Sequence, residues 1–154
     1  MKVIVPGSYD PVTLGHVDVI RRAAEENEQV YAVIFVNPEK EYTFSLDDRV
    51  RMLILATDEY DNVMVSYSNG MVVDYMREHG IQKIVKGYRN DTDYAYEMKQ
   101  AEYNMNYGGY ETELKMCAPE LADISSTLAR KKIGKGESLE GILPTAVIEY
   151  ISRM

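Results

Sequence analysis

Apolar residues follow one another along this chain at two alternating spacings. Compact apolar runs at 2–5, 30–36, 63–66 and 83–86 read as strands, and 111–116 as a fifth. Between them the apolar residues recur three and four apart. Val17, Ile20 and Ala24 predict a helix over 16–26. Ser45 with Asp48 forms an expected capping box, followed by the stripe Leu46, Val50 and Leu53. A short helix over 71–78 ends at His79-Gly80. The helix over 93–107 carries Tyr94, Met98, Ala101 and Met105 on one face, expected to be core. Its polar stripe Glu97, Gln100 and Asn104 is expected to face solvent. Segments 125–133 and 145–153 read as closing helices.

Strands that alternate with helices imply an α/β fold with a doubly wound, about five-stranded, mostly parallel sheet. In such sheets ligands bind at the carboxyl ends of the strands, near the point where strand order reverses. The 154 residues suit a single domain over 1–154 with a sizeable core. With 45% hydrophobic and 27% charged residues, the composition is that of a soluble globular protein. No apolar run is long enough to span a membrane, and Met1-Lys2-Val3 leads into a strand rather than a signal peptide. A cytoplasmic setting is therefore expected. Cys117 is the only cysteine, which excludes an intramolecular disulfide and a cysteine metal cluster.

The formal charge of −8 argues against nonspecific nucleic-acid binding, which needs a basic surface. It shifts the question to where the few cations fall. Lys40 follows the second strand, in Asn37-Pro38-Glu39-Lys40. Lys86 and Arg89 end the fourth, in Lys86-Gly87-Tyr88-Arg89. Arg130, Lys131 and Lys132 follow Ile124-Ser125-Ser126-Thr127 after the fifth. All lie at one predicted edge of the sheet, where helix N-termini also offer free N–H groups. Phosphate binding is the expectation. Taken singly, each has an ordinary structural reading: a solvated lysine, an N-cap serine, a charged turn, a helix-start His16. Their joint placement favours function. Neither GxGxxG nor GxxxxGK[ST] is present, so a nucleotide would be held by another device.

That device has a known form. Gly7-Ser8-Tyr9-Asp10-Pro11 leading to Thr13-Leu14-Gly15-His16 resembles the T/HxGH signature of the small nucleotidyltransferases, and Ile124 through Arg130 resembles their ISSTxxR signature. Within that superfamily the chain resembles the phosphopantetheine adenylyltransferase family over essentially its whole length. Lys40, Phe44-Ser45-Leu46 with Arg49-Val50, the segment Gly87 to Met98, Asn104 and Leu143-Pro144 all fall in register.

The resemblance implies a Rossmann-like nucleotidyltransferase fold and transfer of AMP from ATP to phosphopantetheine, giving dephospho-CoA and pyrophosphate, a late step of coenzyme A synthesis. It implies Mg2+ carried on the triphosphate rather than held by protein side chains, and a homo-oligomer, a hexamer. It implies catalytic roles for Ser8, His16, Lys40 and Arg89. Nucleotide contacts are implied for Ser8, Tyr9, His16, Gly87, Arg89, Glu97, Ile124, Ser125, Ser126, Thr127 and Arg130. Acceptor contacts are implied for Ser8, Lys40, Gly70, Met71, Lys86 and Asn104. Lys86 stands where the family usually has arginine, Ser8 and Tyr9 where Thr and Phe are common. Leu121 and Asp123 also depart from the pattern, and Asp123 is expected close to the triphosphate. Two alternatives are a sister transferase using CTP or another phosphorylated acceptor, and a noncatalytic nucleotide-binding paralogue.

Overall fold

A computed structural model describes residues 1–154. Five strands form one sheet: β1 (Lys2–Gly7), β2 (Gln29–Phe35), β3 (Val63–Ser68), β4 (Lys83–Tyr88) and β5 (Glu111–Met116). All neighbours pair in parallel, in the order β3-β2-β1-β4-β5. Helices α1 (Leu14–Glu26), α2 (Leu46–Thr57), α3 (Val72–His79) and α4 (Asp91–Gly108) connect them, and α5 (Ser126–Lys135) and α6 (Thr145–Ser152) follow β5.

Alternation along the strands explains the two layers of helix. Val3, Val5, Val30, Ala32, Ile34 and Val85 pack with Ile20 of α1, Leu53 of α2, Ala129 of α5 and Val147 of α6. The intervening Ile4, Val33 and Ile84 pack with Tyr75 and Met76 of α3. Strands covered on both faces need apolar residues at successive positions, as these have. The result is the doubly wound, Rossmann-like α/β fold.

The chain starts in the middle of the sheet, builds β2 and β3 to one side, then crosses to β4 and β5. β1 pairs with β2 along its length, but with β4 only at Val3↔Lys83 and Ile4↔Ile84. Beyond Ile4 these two strands have no partnered residues, and a crevice opens between Pro6-Gly7 and Lys86-Gly87. Pro6 has no N–H to leave unpaired there. This is the switch point of the sheet, at the carboxyl ends of its strands. Helix α1 lies close against β4: a Cβ on Gly87 would sit 2.6 Å from Val19 Cγ2.

Two expectations are corrected. The apolar stripe of α4 is not core: Tyr94, Met98 and Met105 are 42%, 46% and 46% exposed. Glu97 is instead the one fully buried residue of the helix, and Asp93, Ala101, Asn104 and Gly108 flank it on the inward side. Period fixes that four residues share a face, but not which way the face points. The reciprocal capping box also belongs to α1, not α2. Ser45 does accept from the Asp48 N–H, but the Asp48 carboxylate accepts instead from the Tyr150 hydroxyl at 2.7 Å.

Candidate active site

The crevice holds a cavity of about 350 Å³ whose wall includes Ser8, Tyr9, His16 and Gly87. The amino ends of α1 and α5 face it: Thr13, Gly15 and His16 from one, Ser125, Ser126 and Thr127 from the other. Unpaired N–H groups and aligned peptide dipoles make such ends favourable for anions.

His16 is the third residue of α1. The Thr13 N–H donates to its Nδ1 at 2.9 Å, and the His16 N–H donates to Thr13 Oγ1 at 3.3 Å. Because Nδ1 accepts, the ring proton sits on Nε2. The imidazole has only part of its surface open. Desolvation lowers its pKa to about 4, and the positive charges of Lys86 and Arg89 push in the same direction. At neutral pH His16 is thus an uncharged donor of fixed tautomer. Tyr9 packs on it, ring centroids 4.8 Å apart, and donates its hydroxyl to the Val5 carbonyl at 2.7 Å. Burial raises the Tyr9 pKa, so the phenol stays protonated. Tyr9 adopts φ +49°, a conformation costly for a non-glycine residue, at the turn that presents Ser8.

The second signature stitches α5 to that turn. Ser125 caps α5 by accepting from the Leu128 N–H. Ser126 Oγ donates to the Pro11 carbonyl at 2.9 Å, and Arg130 donates to the Asp10 carbonyl at 2.9 Å and to Thr127 Oγ1 at 3.2 Å. Ile124 is buried at the cavity wall. Arg130 itself lies behind the wall and braces it. The Asp10 carboxylate accepts the N–H groups of Thr43 and Phe44, tying the loop after β2 to the same turn.

A second cavity, of about 250 Å³, adjoins the first and shares Pro6, Gly7, Ser8 and Lys86 with it. Its remaining wall is mostly uncharged: Phe35, Val72 and Ile84 on one hand, Gln100 and Asn104 of α4 on the other. Lys86 Nζ stands at the shared floor, 3.2 Å from Glu97 Oε2 and 3.5 Å from the Pro6 carbonyl.

Most of the residues singled out from sequence converge here, with exceptions. Glu97 lines the second cavity, not the first. Lys40 is exposed on its loop, its Nζ 5.4 Å from the centre of the Tyr42 ring, and lines neither cavity. Gly70 and Met71 precede Val72 without lining the second cavity themselves. Arg89 lines the first cavity with its guanidinium engaged by Asp93 at 2.8 and 3.3 Å. Leu121 is in the wall, whereas Asp123 is exposed outside it.

Three residues appear in the quoted motifs with no role assigned to them. Thr13 fixes the His16 tautomer; its signal was the capping-box spacing with histidine in place of glutamate. Asp93 occupies Arg89. Arg49, only 2% exposed, donates to the carbonyls of Ser8 and Phe44 and stacks 3.9 Å from the Tyr42 ring centre. Nothing in its spacing marked it for burial.

No group of three or more His, Cys, Asp or Glu side chains converges on a metal-sized space, and no helix is long and apolar enough to cross a membrane. Residues 4–132 match the family model described as Cytidylyltransferase-like, a span that runs from β1 into α5 and contains both cavities.

Proposed function

The chain belongs to the cytidylyltransferase-like family of nucleotidyl transferases, and on that premise we propose that it transfers AMP from ATP to 4'-phosphopantetheine, releasing pyrophosphate. The observation that carries the reading is the shared floor of the two cavities. Two phosphate-bearing substrates, one in each cavity, would meet at Ser8 and Lys86.

An oxygen of the acceptor phosphate attacks the α-phosphorus of ATP. The bond from that phosphorus to the bridging oxygen breaks, and pyrophosphate leaves with the electron pair. Such a transfer needs alignment and neutralisation of charge more than covalent help from the protein. His16 Nε2–H donates to the α-phosphate, where charge builds in the transition state. Ser8 orients the incoming phosphate, and Lys86 holds it. The amino end of α5 with Ser125, Ser126 and Thr127 receives the β- and γ-phosphates. Arg89 shares its fork between Asp93 and the nucleotide; the phosphate-holding role that the resemblance implies for Lys40 would require its loop to move, because Lys40 lines neither cavity. Asn104 meets the pantetheine arm. Magnesium, which the resemblance places on the triphosphate, would add further neutralisation of phosphate charge.

The exposed apolar residues of α4 support a homo-oligomer, for which the resemblance implies a hexamer. The test of the reading is pyrophosphate release from ATP and phosphopantetheine. Release that requires both substrates is the expected result. Release with CTP in place of ATP, or with a different phosphorylated acceptor only, overturns the assignment of substrates. Binding of ATP without release under any acceptor overturns the assignment as an enzyme.

A further inference from the structure

Two cavities that both take phosphates pose a sorting problem, because ATP could occupy either. The charged lining of the first is Lys86, Arg89 and Asp93, two cations and one acid, with two helix amino ends added. The charged lining of the second is Lys86 and Glu97, one cation and one acid. Glu97 is 7% exposed and 3.2 Å from Lys86. It lies on the inward face of α4, held there by the helix rather than by a mobile loop.

We propose that Glu97 determines selectivity: by neutralising Lys86 inside the second cavity, it keeps triphosphates out and leaves a site for a singly phosphorylated, otherwise uncharged acceptor. The inference rests on the reading of the second cavity as the acceptor site. A carboxylate repels a bound anion in proportion to the anion's charge, so a triphosphate loses more than a monophosphate does. The pair also limits what Lys86 can give. An ammonium has three N–H donors, and Glu97 and the Pro6 carbonyl stand in reach of two. The remaining donor suits one phosphate oxygen, not a polyphosphate chain. Removing the acid would free the cation and open the second cavity to ATP.

The test is the stoichiometry of ATP binding to the full chain, measured by calorimetry and by equilibrium dialysis. The wild-type protein is expected to bind one ATP per chain. Glu97→Gln, which keeps shape and an oxygen near Lys86, is expected to bind two, with the second displaced by phosphopantetheine. In turnover ATP then competes with the acceptor, with an inhibition constant at least roughly tenfold lower than in the wild type. Adding Lys86→Met to Glu97→Gln removes the freed cation and returns the count to one. One ATP per chain in all three proteins, with unchanged inhibition by ATP, overturns the proposal. The count needs no catalysis, so it decides the role of Glu97 even where wild-type protein releases no pyrophosphate and the functional reading itself fails.

Discussion

Thr13 and His16 satisfy each other at the start of α1: the Thr13 N–H donates to Nδ1 of the imidazole while Thr13 Oγ1 accepts the His16 N–H. The helix cap thereby decides where the ring keeps its proton. A group whose tautomer and orientation are fixed before substrate arrives spends no reorganisation in the transition state.

His16→Ala is therefore expected to lower kcat by about 10²–10³, the loss typical for one such donor. ATP affinity should change far less, because the donor acts mainly on charge that appears during transfer. Steady-state kinetics with direct ATP-binding measurements check this. Near-normal kcat in His16→Ala removes His16 from the chemistry.

The imidazole is expected to titrate near pH 4 in the free protein. His16 and His79 are the only histidines, so NMR with a His79→Gln variant identifies the resonance. The consequence for stability has a definite sign. The folded pKa lies below the 6.5 of a free imidazole, so the unfolded chain takes up the proton first. The contribution is complete above about pH 6.5 and is lost as pH falls from there through about 4. Denaturant titrations across that range should show a smaller decline in His16→Gln than in the wild type.

Lys86 carries the charge expected at its position without a planar fork. Lys86→Arg is expected to be tolerated and to lower the acceptor KM by up to about tenfold. Lys86→Ala should raise the acceptor KM much more than that of ATP. Both follow from a charge-assisted hydrogen bond worth about 1.5–3 kcal/mol. An unchanged acceptor KM in Lys86→Ala places the acceptor elsewhere.

Gly87→Ala should destabilise the fold by about 1–3 kcal/mol, because its Cβ would lie 2.6 Å from Val19 Cγ2 and α1 would have to shift. Thermal unfolding checks this, and Val19→Ala in the same chain should restore part of the loss. Full additivity of the two losses would mean that the contact is not the cause.

Light scattering should show a homo-oligomer at micromolar concentration. Met98→Glu with Met105→Glu, both on the exposed face of α4, should shift it toward smaller species. A wild-type monomer overturns the assembly drawn from this face.

Elements with a full period were legible in the sequence. All five strands and six helices appear close to where the sequence put them, because side chains on one face recur at a period set by the backbone. The ends were less legible: β4 runs on to Tyr88 and α1 begins at Leu14, since pairing partners and caps set those limits. The orientation of α4 was not legible, because a helix with one apolar and one polar stripe can bury either when a cavity or a neighbour claims the other. At the site, motif residues such as Ser8, His16 and Ser126 could be collected by strand ends alone. Thr13, Asp93 and Arg49 act by holding other residues, and that depends on three-dimensional neighbours rather than on spacing.

The separation of β1 from β4 beyond Ile4 has a consequence for how this site tolerates change. The two sides of the gap itself are strands anchored at their buried ends, while the turn after β1 and the amino ends of α1 and α5 complete the wall. Replacing the side chains that line the gap changes what is gripped, while the distance between the grips stays with the directions of two strands laid down in the core. Altered substrate preference can therefore be reached by surface substitution within a frame of constant width, whereas a wider or narrower frame would require repacking the sheet.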